Sequence, residues 1–254
     1  MKLIENLPFT THRAIGARAR IGCVVLASEY TLEHEFNAVL QRPELEGVAL
    51  SCARIPNSPD INPASLTAMG PLIEQTAGLI LPGDQIDALA YGCTSASTVL
   101  GPDHVNSLLR AAKPTAQPTN PVTAMVAAMG ALSVKRLAVL TPYRSDVNLH
   151  IAKTLESQGL EIATFGSFNE ESDITVSAID TDSLTNAIGL LVKEAAVEAV
   201  FVSCTSLSLF HGVATLEQKF GLPITSSNHA MIWHCLRLAG ITESMPDMGR
   251  LYSF

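Results

Sequence analysis

Tyr91-Gly92-Cys93-Thr94-Ser95-Ala96-Ser97 and Val202-Ser203-Cys204-Thr205-Ser206-Leu207-Ser208 are near copies of one another, 111 residues apart (93 to 204) in a chain of 254. Each cysteine follows a short apolar run, Asp87–Tyr91 or Ala199–Val202, that reads as a buried strand. Each precedes a Thr/Ser cluster of the kind that caps a helix N-terminus. A thiol at such a junction meets converging backbone N–H groups and the positive end of a helix. That setting binds anions and lowers a cysteine pKa. Its repetition points to two thiols facing each other across a cleft.

Outward from these two junctions, apolar runs alternate with helical patterns, the signature of βαβ units and a mainly parallel sheet. Strands are expected at Ile21–Leu26, Gly47–Cys52, Asp87–Tyr91, Arg136–Leu140, Glu161–Phe165, Ala199–Val202 and Leu222–Thr225. Helices are expected near Leu32–Gln41, Ser65–Ile80, Ala96–Ala112, Pro121–Leu132, Asp146–Gln158, Asp182–Ala195, Thr215–Phe220 and His229–Leu238. The proline-rich stretch Lys113 to Pro121 reads as the break between two halves, because its three prolines cannot continue the preceding helix. Across that break the parts recur: the opening strands are offset by 115 residues (21 to 136), close to the offset of the cysteines. The fold class is therefore α/β, with two pseudo-symmetric flavodoxin-like domains formed by duplication. The first comprises residues 1–118 and 228–254, its last helix crossing back, and the second 119–227. Ligands of open parallel sheets bind beyond the carboxyl ends of the strands. Both cysteine junctions and the ends of the two opening strands would thus share one interdomain cleft.

Composition narrows the function. A net charge of −8 leaves no basic stripe for nucleic acid or an anionic membrane, and a 47% hydrophobic, 16% charged chain suits a packed cytoplasmic protein. No stretch approaches about 18 uncharged apolar residues, and the early Glu5 does not suit a signal peptide. Five cysteines without C-x-x-C spacing indicate free thiols and no metal site. Neither a G-x-x-x-x-G-K-[ST] nor a G-x-G-x-x-G phosphate loop occurs, so no nucleotide cofactor is expected. What remains is a small carboxylate, held by Thr94, Ser95, Thr205, Ser206 and adjacent N–H groups, between a thiolate acting as nucleophile or base and a thiol acting as acid. The same hydroxyls also suit plain helix capping. Cys23, Cys52 and Cys235 fall within apolar segments and read as packing, and the lone His211 and His229 read as surface or core residues.

Taken together, several blocks resemble the Asp/Glu racemase superfamily, in particular its maleate cis–trans isomerase and arylmalonate decarboxylase branch. They are Ile21 to Leu26 with Thr31-Leu32-Glu33-His34-Glu35; Tyr91 to Ser95; Leu140-Thr141-Pro142-Tyr143 with Asp146-Val147-Asn148; Val202 to Thr205; and Ser226 to Ala230 with Trp233. The resemblance spans nearly the whole chain. It implies a cofactor-independent enzyme, homo-oligomeric (dimer or tetramer), with paired cysteines in the cleft. By position Cys93 would attack a double bond, Cys204 would supply and remove the proton, and Tyr143 would bind a substrate carboxylate. The decarboxylases carry glycine at the first cysteine position, so Cys93 argues against that chemistry.

Two departures bear on the substrate. Where maleate isomerases carry an asparagine after the first strand, this chain has Ser28 and Glu29. Their second substrate-binding asparagine aligns with Ser172, or with Asn169 under another gap placement. A carboxylate at 29 in a dry site would repel a dianion by on the order of several kcal/mol. It would favour a substrate carrying an ammonium or another donor. Four readings follow: a maleate isomerase-like enzyme; a racemase of an Asp/Glu-type, hydantoin-type or ectoine-derived substrate; an arylmalonate-type decarboxylase needing only Cys204; or a non-catalytic small-carboxylate binding protein.

Overall fold

A computed structural model describes residues 1–12, 15–58 and 60–254. The first half runs β1 (Ala19–Leu26), α1 (Leu32–Leu40), β2 (Val48–Ile55), α2 (Pro63–Ala68), α3 (Gly70–Gly78), β3 (Ala88–Gly92), α4 (Thr94–Leu100), α5 (Pro102–Ala112), β4 (Gln117–Thr119) and α6 (Pro121–Leu132). The second runs β5 (Arg136–Thr141), α7 (Ser145–Ser157), β6 (Glu161–Ser167), α8 (Asp173–Ser177), α9 (Thr181–Glu194), β7 (Ala199–Val202), α10 (Val213–Phe220), β8 (Ile224–Ser226) and α11 (Ser227–Leu238). The strands form two parallel sheets of four, ordered β2-β1-β3-β4 and β6-β5-β7-β8. The identical order is the structural counterpart of the repeat in the sequence: two flavodoxin-like units in one chain.

The central strands are buried on both faces, which requires the near-continuous apolar runs they carry. The edge strands β2 and β6 are only half-buried along most of their length. Cys23 and Cys235 are fully buried and Cys52 half-buried, as packing residues should be. His229 is also a core residue, with one ring nitrogen 2.9 Å from Thr225 Oγ1 and the other 2.8 Å from the Met248 carbonyl. His211 is on the surface beside Phe210.

Four readings change. The proline-rich stretch is more than a boundary: Gln117–Thr119 pairs with β3 and completes the first sheet. Pro118 fits because β4 is an edge strand, where a missing N–H costs no ladder bond. The helix expected over Ser65–Ile80 is two helices, α3 restarting at Gly70-Pro71, and the one over Ala96–Ala112 breaks at Gly101, whose φ of 90° only glycine adopts easily. After Cys204 no helix begins: Thr205 to Leu209 is loop, and regular helix resumes only at α10. α11 packs against β3 and β4 of the first sheet as well as on α6. On its packing against that sheet we propose the division into 1–118 with 228–254 and 119–227. Among the described residues no helix is long and apolar enough to cross a membrane.

Candidate active site

Strands β1, β3, β5 and β7 all end at one narrow cavity of about 30 Å³. Cys93, Ser95, Tyr143, Cys204, Thr205 and Ser206 line it, and Leu26 closes it from the end of β1. Each is set there by its backbone. Cys93 is the N-cap of α4, and its carbonyl accepts from Ser97 Oγ at 2.6 Å. A Cβ on Gly92 before it would stand 2.4 Å from Leu32 Cδ2, so any side chain there would displace the buried Leu32. The Tyr143 carbonyl accepts from Asn148 Nδ2 at 2.7 Å and from the Ser167 hydroxyl, which fixes the turn leaving β5.

The loop after Cys204 takes its shape from the other half of the molecule. Ser206 N–H donates to Cys204 Sγ at 3.3 Å, Thr31 Oγ1 donates to the Ser206 carbonyl at 3.1 Å, and Asn228 Nδ2 donates to the Thr205 carbonyl at 2.8 Å. Glu35, fully buried on α1, accepts from Ser208 Oγ, Leu209 N–H, Phe210 N–H and Asn228 Nδ2. Sequence reasoning did not single out Glu35. Its signals were its place in the Thr31 to Glu35 block and an acid on an amphipathic helix face otherwise facing the core.

The thiols do not behave as their position in the sequence suggests. Burial pushes Cys93 up to about 11, against the opposing pull of the Ala96 N–H and Ser95. It pushes Cys204 up to about 12, although Tyr143 and the Ser206 N–H hold it down. Asp173 and Glu29 add to both upward shifts. Desolvation of a thiolate thus outweighs the end of the two-turn helix α4. In the free protein at pH 7.5, iodoacetamide should therefore alkylate both thiols about 10²-fold or more slowly than free cysteine. Peptide mapping over a time course measures this, and rapid labelling of Cys93 would contradict it.

The remaining sequence candidates divide. Ser28 is beside the cavity, its hydroxyl donating to Asp173 Oδ2 at 2.7 Å and accepting from Asn57 Nδ2 at 3.0 Å. Thr94 points away and donates to Ser227 Oγ at 2.8 Å, a packing contact between α4 and α11. Ser172 also turns away, capping α8 through Thr175 N–H; the next residue, Asp173, enters the cavity in its place. Asn169 is not among the lining residues. An alignment by residue type sought an asparagine here and passed over the acid. Asn57 and Asp60, from the loop after β2, also line the cavity and were not foreseen.

Glu29 sits behind Thr205 with 3% of its surface exposed. One oxygen caps α1, accepting from Thr31 N–H at 2.5 Å and Leu32 N–H at 2.9 Å; the other has no hydrogen-bond partner among the described residues. Burial raises its pKa from 4.5 to about 7, the two N–H bonds opposing. Between those values the native state holds a proton that the unfolded state has released, so stability falls as pH rises through this window, by roughly 2–3 kcal/mol. A melting-temperature series from pH 4.5 to 8 should show that fall. Glu29→Gln should remove it, and an unchanged slope in the variant would contradict the assignment.

Comparison with known proteins agrees with this geometry. The family model for arylmalonate decarboxylase matches residues 72–252. The chain belongs to that family. Maleate isomerase of Nocardia farcinica is 26% identical over 239 residues, covering 91% of this chain and 94% of the relative. Arylmalonate decarboxylase of Bordetella bronchiseptica is 31% identical over 135 residues, or 51% of this chain and 55% of the relative. A solved structure of the Nocardia farcinica maleate cis–trans isomerase, a cysteine-to-serine mutant with a covalently bound succinylcysteine intermediate, superposes with a TM-score of 0.85 at 26% identity. It covers 92% of this chain and 98% of that one. Within the family, then, this chain combines the fold of the isomerases with a cavity containing two thiols.

Proposed function

We propose that the protein is a cofactor-independent isomerase of a small unsaturated carboxylate, with Cys93 as carbon nucleophile and Cys204 as proton donor and acceptor. The observation that carries this reading is the meeting of two thiols, from equivalent strand ends of a duplicated fold, in one cavity with Tyr143. A single thiol would suffice for decarboxylation; the retained Cys93 makes addition to a double bond possible.

In this mechanism the Cys93 thiolate forms a C–S bond to one alkene carbon as the π pair moves to its neighbour. The Tyr143 and Ser95 hydroxyls hold the adjacent carboxylate while charge develops on it. The Cys204 thiol protonates the neighbouring carbon, leaving a single bond that rotates. Return of that proton to Cys204 and loss of Cys93 then deliver the trans isomer. Both thiols start protonated in the dry cavity, so the Cys93 proton passes to the bound substrate's carboxylate as the C–S bond forms and returns to Cys93 when that bond breaks. The covalently bound succinylcysteine intermediate in the solved Nocardia farcinica isomerase supports addition through a cysteine.

Proton NMR in deuterated water tests the reading with maleate and its monoamide, maleamate. The trans alkene should appear with the wild-type protein and not with either Cys→Ser variant. Deuterium at Cα of aspartate or glutamate, without any trans alkene, would overturn isomerisation in favour of racemisation. Carbon dioxide released from phenylmalonate would replace it with decarboxylation.

A further inference from the structure

The cavity is polarised in a way that a second substrate carboxylate would not match. On one side stand the hydroxyls of Ser95, 3.6 Å from Cys93 Sγ, and of Tyr143, against Cys204, both able to turn from the thiols to an anion. On the other stands Asp173, a carboxylate that accepts Ser28 Oγ at 2.7 Å and Ser206 Oγ at 2.6 Å. The two serine hydroxyls nearest that end are therefore already spent as donors. Asp60 adds a further carboxylate at the rim, and no Arg, Lys or His lines the cavity among the described residues.

Resting on the isomerase reading above, we infer that the substrate is a monocarboxylate whose far end is a hydrogen-bond donor, an amide or an ammonium, and that Asp173 selects it. The carboxylate binds at Ser95 and Tyr143, and the N–H end faces Asp173. A dicarboxylate placed the same way would set two carboxylates against each other with no donor between them. The arrangement also bears on activation. Asp173 is among the groups that hold both thiols up, and a donor bound against it offsets that field.

The test is binding of three unreactive ligands to the wild-type protein by calorimetric or NMR titration: succinate, succinamate (an amide end) and 4-aminobutanoate (an ammonium end). At least one donor ligand should bind about tenfold or more tightly than succinate. Which of the two does so identifies the donor. Asp173→Asn should shrink that preference about tenfold, and Asp173→Ser should do the same should the first variant fail to fold. Succinate binding as well as both others overturns the inference, as does a preference untouched in a folded Asp173 variant, or the failure of all three to bind. The isomerase reading fails separately. Preferred binding of a donor ligand with no turnover of maleate or maleamate defeats that reading alone. Faster turnover of maleate than of maleamate defeats the Asp173 assignment alone.

Discussion

Cys93→Ser is expected to lower kcat/KM for alkene isomerisation by about 10³-fold or more, equivalent to roughly 4 kcal/mol of transition-state stabilisation. A serine hydroxyl is far less acidic than even a thiol held near 11, and its oxygen is a poor nucleophile toward an alkene carbon. Cys204→Ser should cost a similar factor for a different reason. The addition step survives, with the serine hydroxyl or water supplying the proton, but no thiolate takes that proton back, so the enzyme stalls as a thioether on Cys93. The double variant should be no worse than the slower single one, because each residue is useless without the other. Steady-state assays of the three variants, with circular dichroism to confirm folding, decide the matter. Additive losses would mean two independent sites of action.

Glu35→Ala carries the largest expected effect on stability, a loss of about 3–4 kcal/mol. The side chain is fully buried and accepts four hydrogen bonds that join α1 to the loop after Cys204 and to α11. Truncation leaves the buried Leu209 N–H and Asn228 Nδ2 short of an acceptor, while Ser208 Oγ and the half-buried Phe210 N–H can turn to water. Glu35→Gln keeps one acceptor oxygen but sets its amide against that of Asn228, so a smaller loss of about 1–2 kcal/mol is expected. Urea denaturation at pH 7 measures both. A Glu35→Ala variant within about 0.5 kcal/mol of wild type would show that this latch contributes nothing.

Periodicity and the doubled cysteine motif made the duplicated fold legible, because buried central strands demand unbroken apolar runs. Seven strands could be placed from these alone. Less visible was β4, where a proline let an edge strand read as a plain boundary between the halves. Helix breaks at Gly70-Pro71 and Gly101-Pro102 were likewise hidden inside continuous apolar periodicity. At the site, Cys93, Ser95, Tyr143, Cys204, Thr205 and Ser206 follow from strand ends and do meet in the cavity. Thr94 and Ser172 do not, because facing direction at a helix start depends on a single residue of register. Asp173 and Glu35 were missed for a related reason: an acid in a sequence reads as surface until burial and partners are known. The thiol pKa values went the wrong way on the same ground, since desolvation is a property of the closed cleft and not of the motif.

The assignment of Cys93 as nucleophile and Cys204 as proton relay is tested most directly by mass spectrometry of the Cys204→Ser variant. The variant is incubated with maleate or maleamate, quenched in acid and digested. A thioether adduct confined to the peptide carrying Cys93, absent from Cys93→Ser under the same conditions, is the expected result. No adduct on Cys93, from a wild-type preparation that does isomerise either compound, would contradict the account.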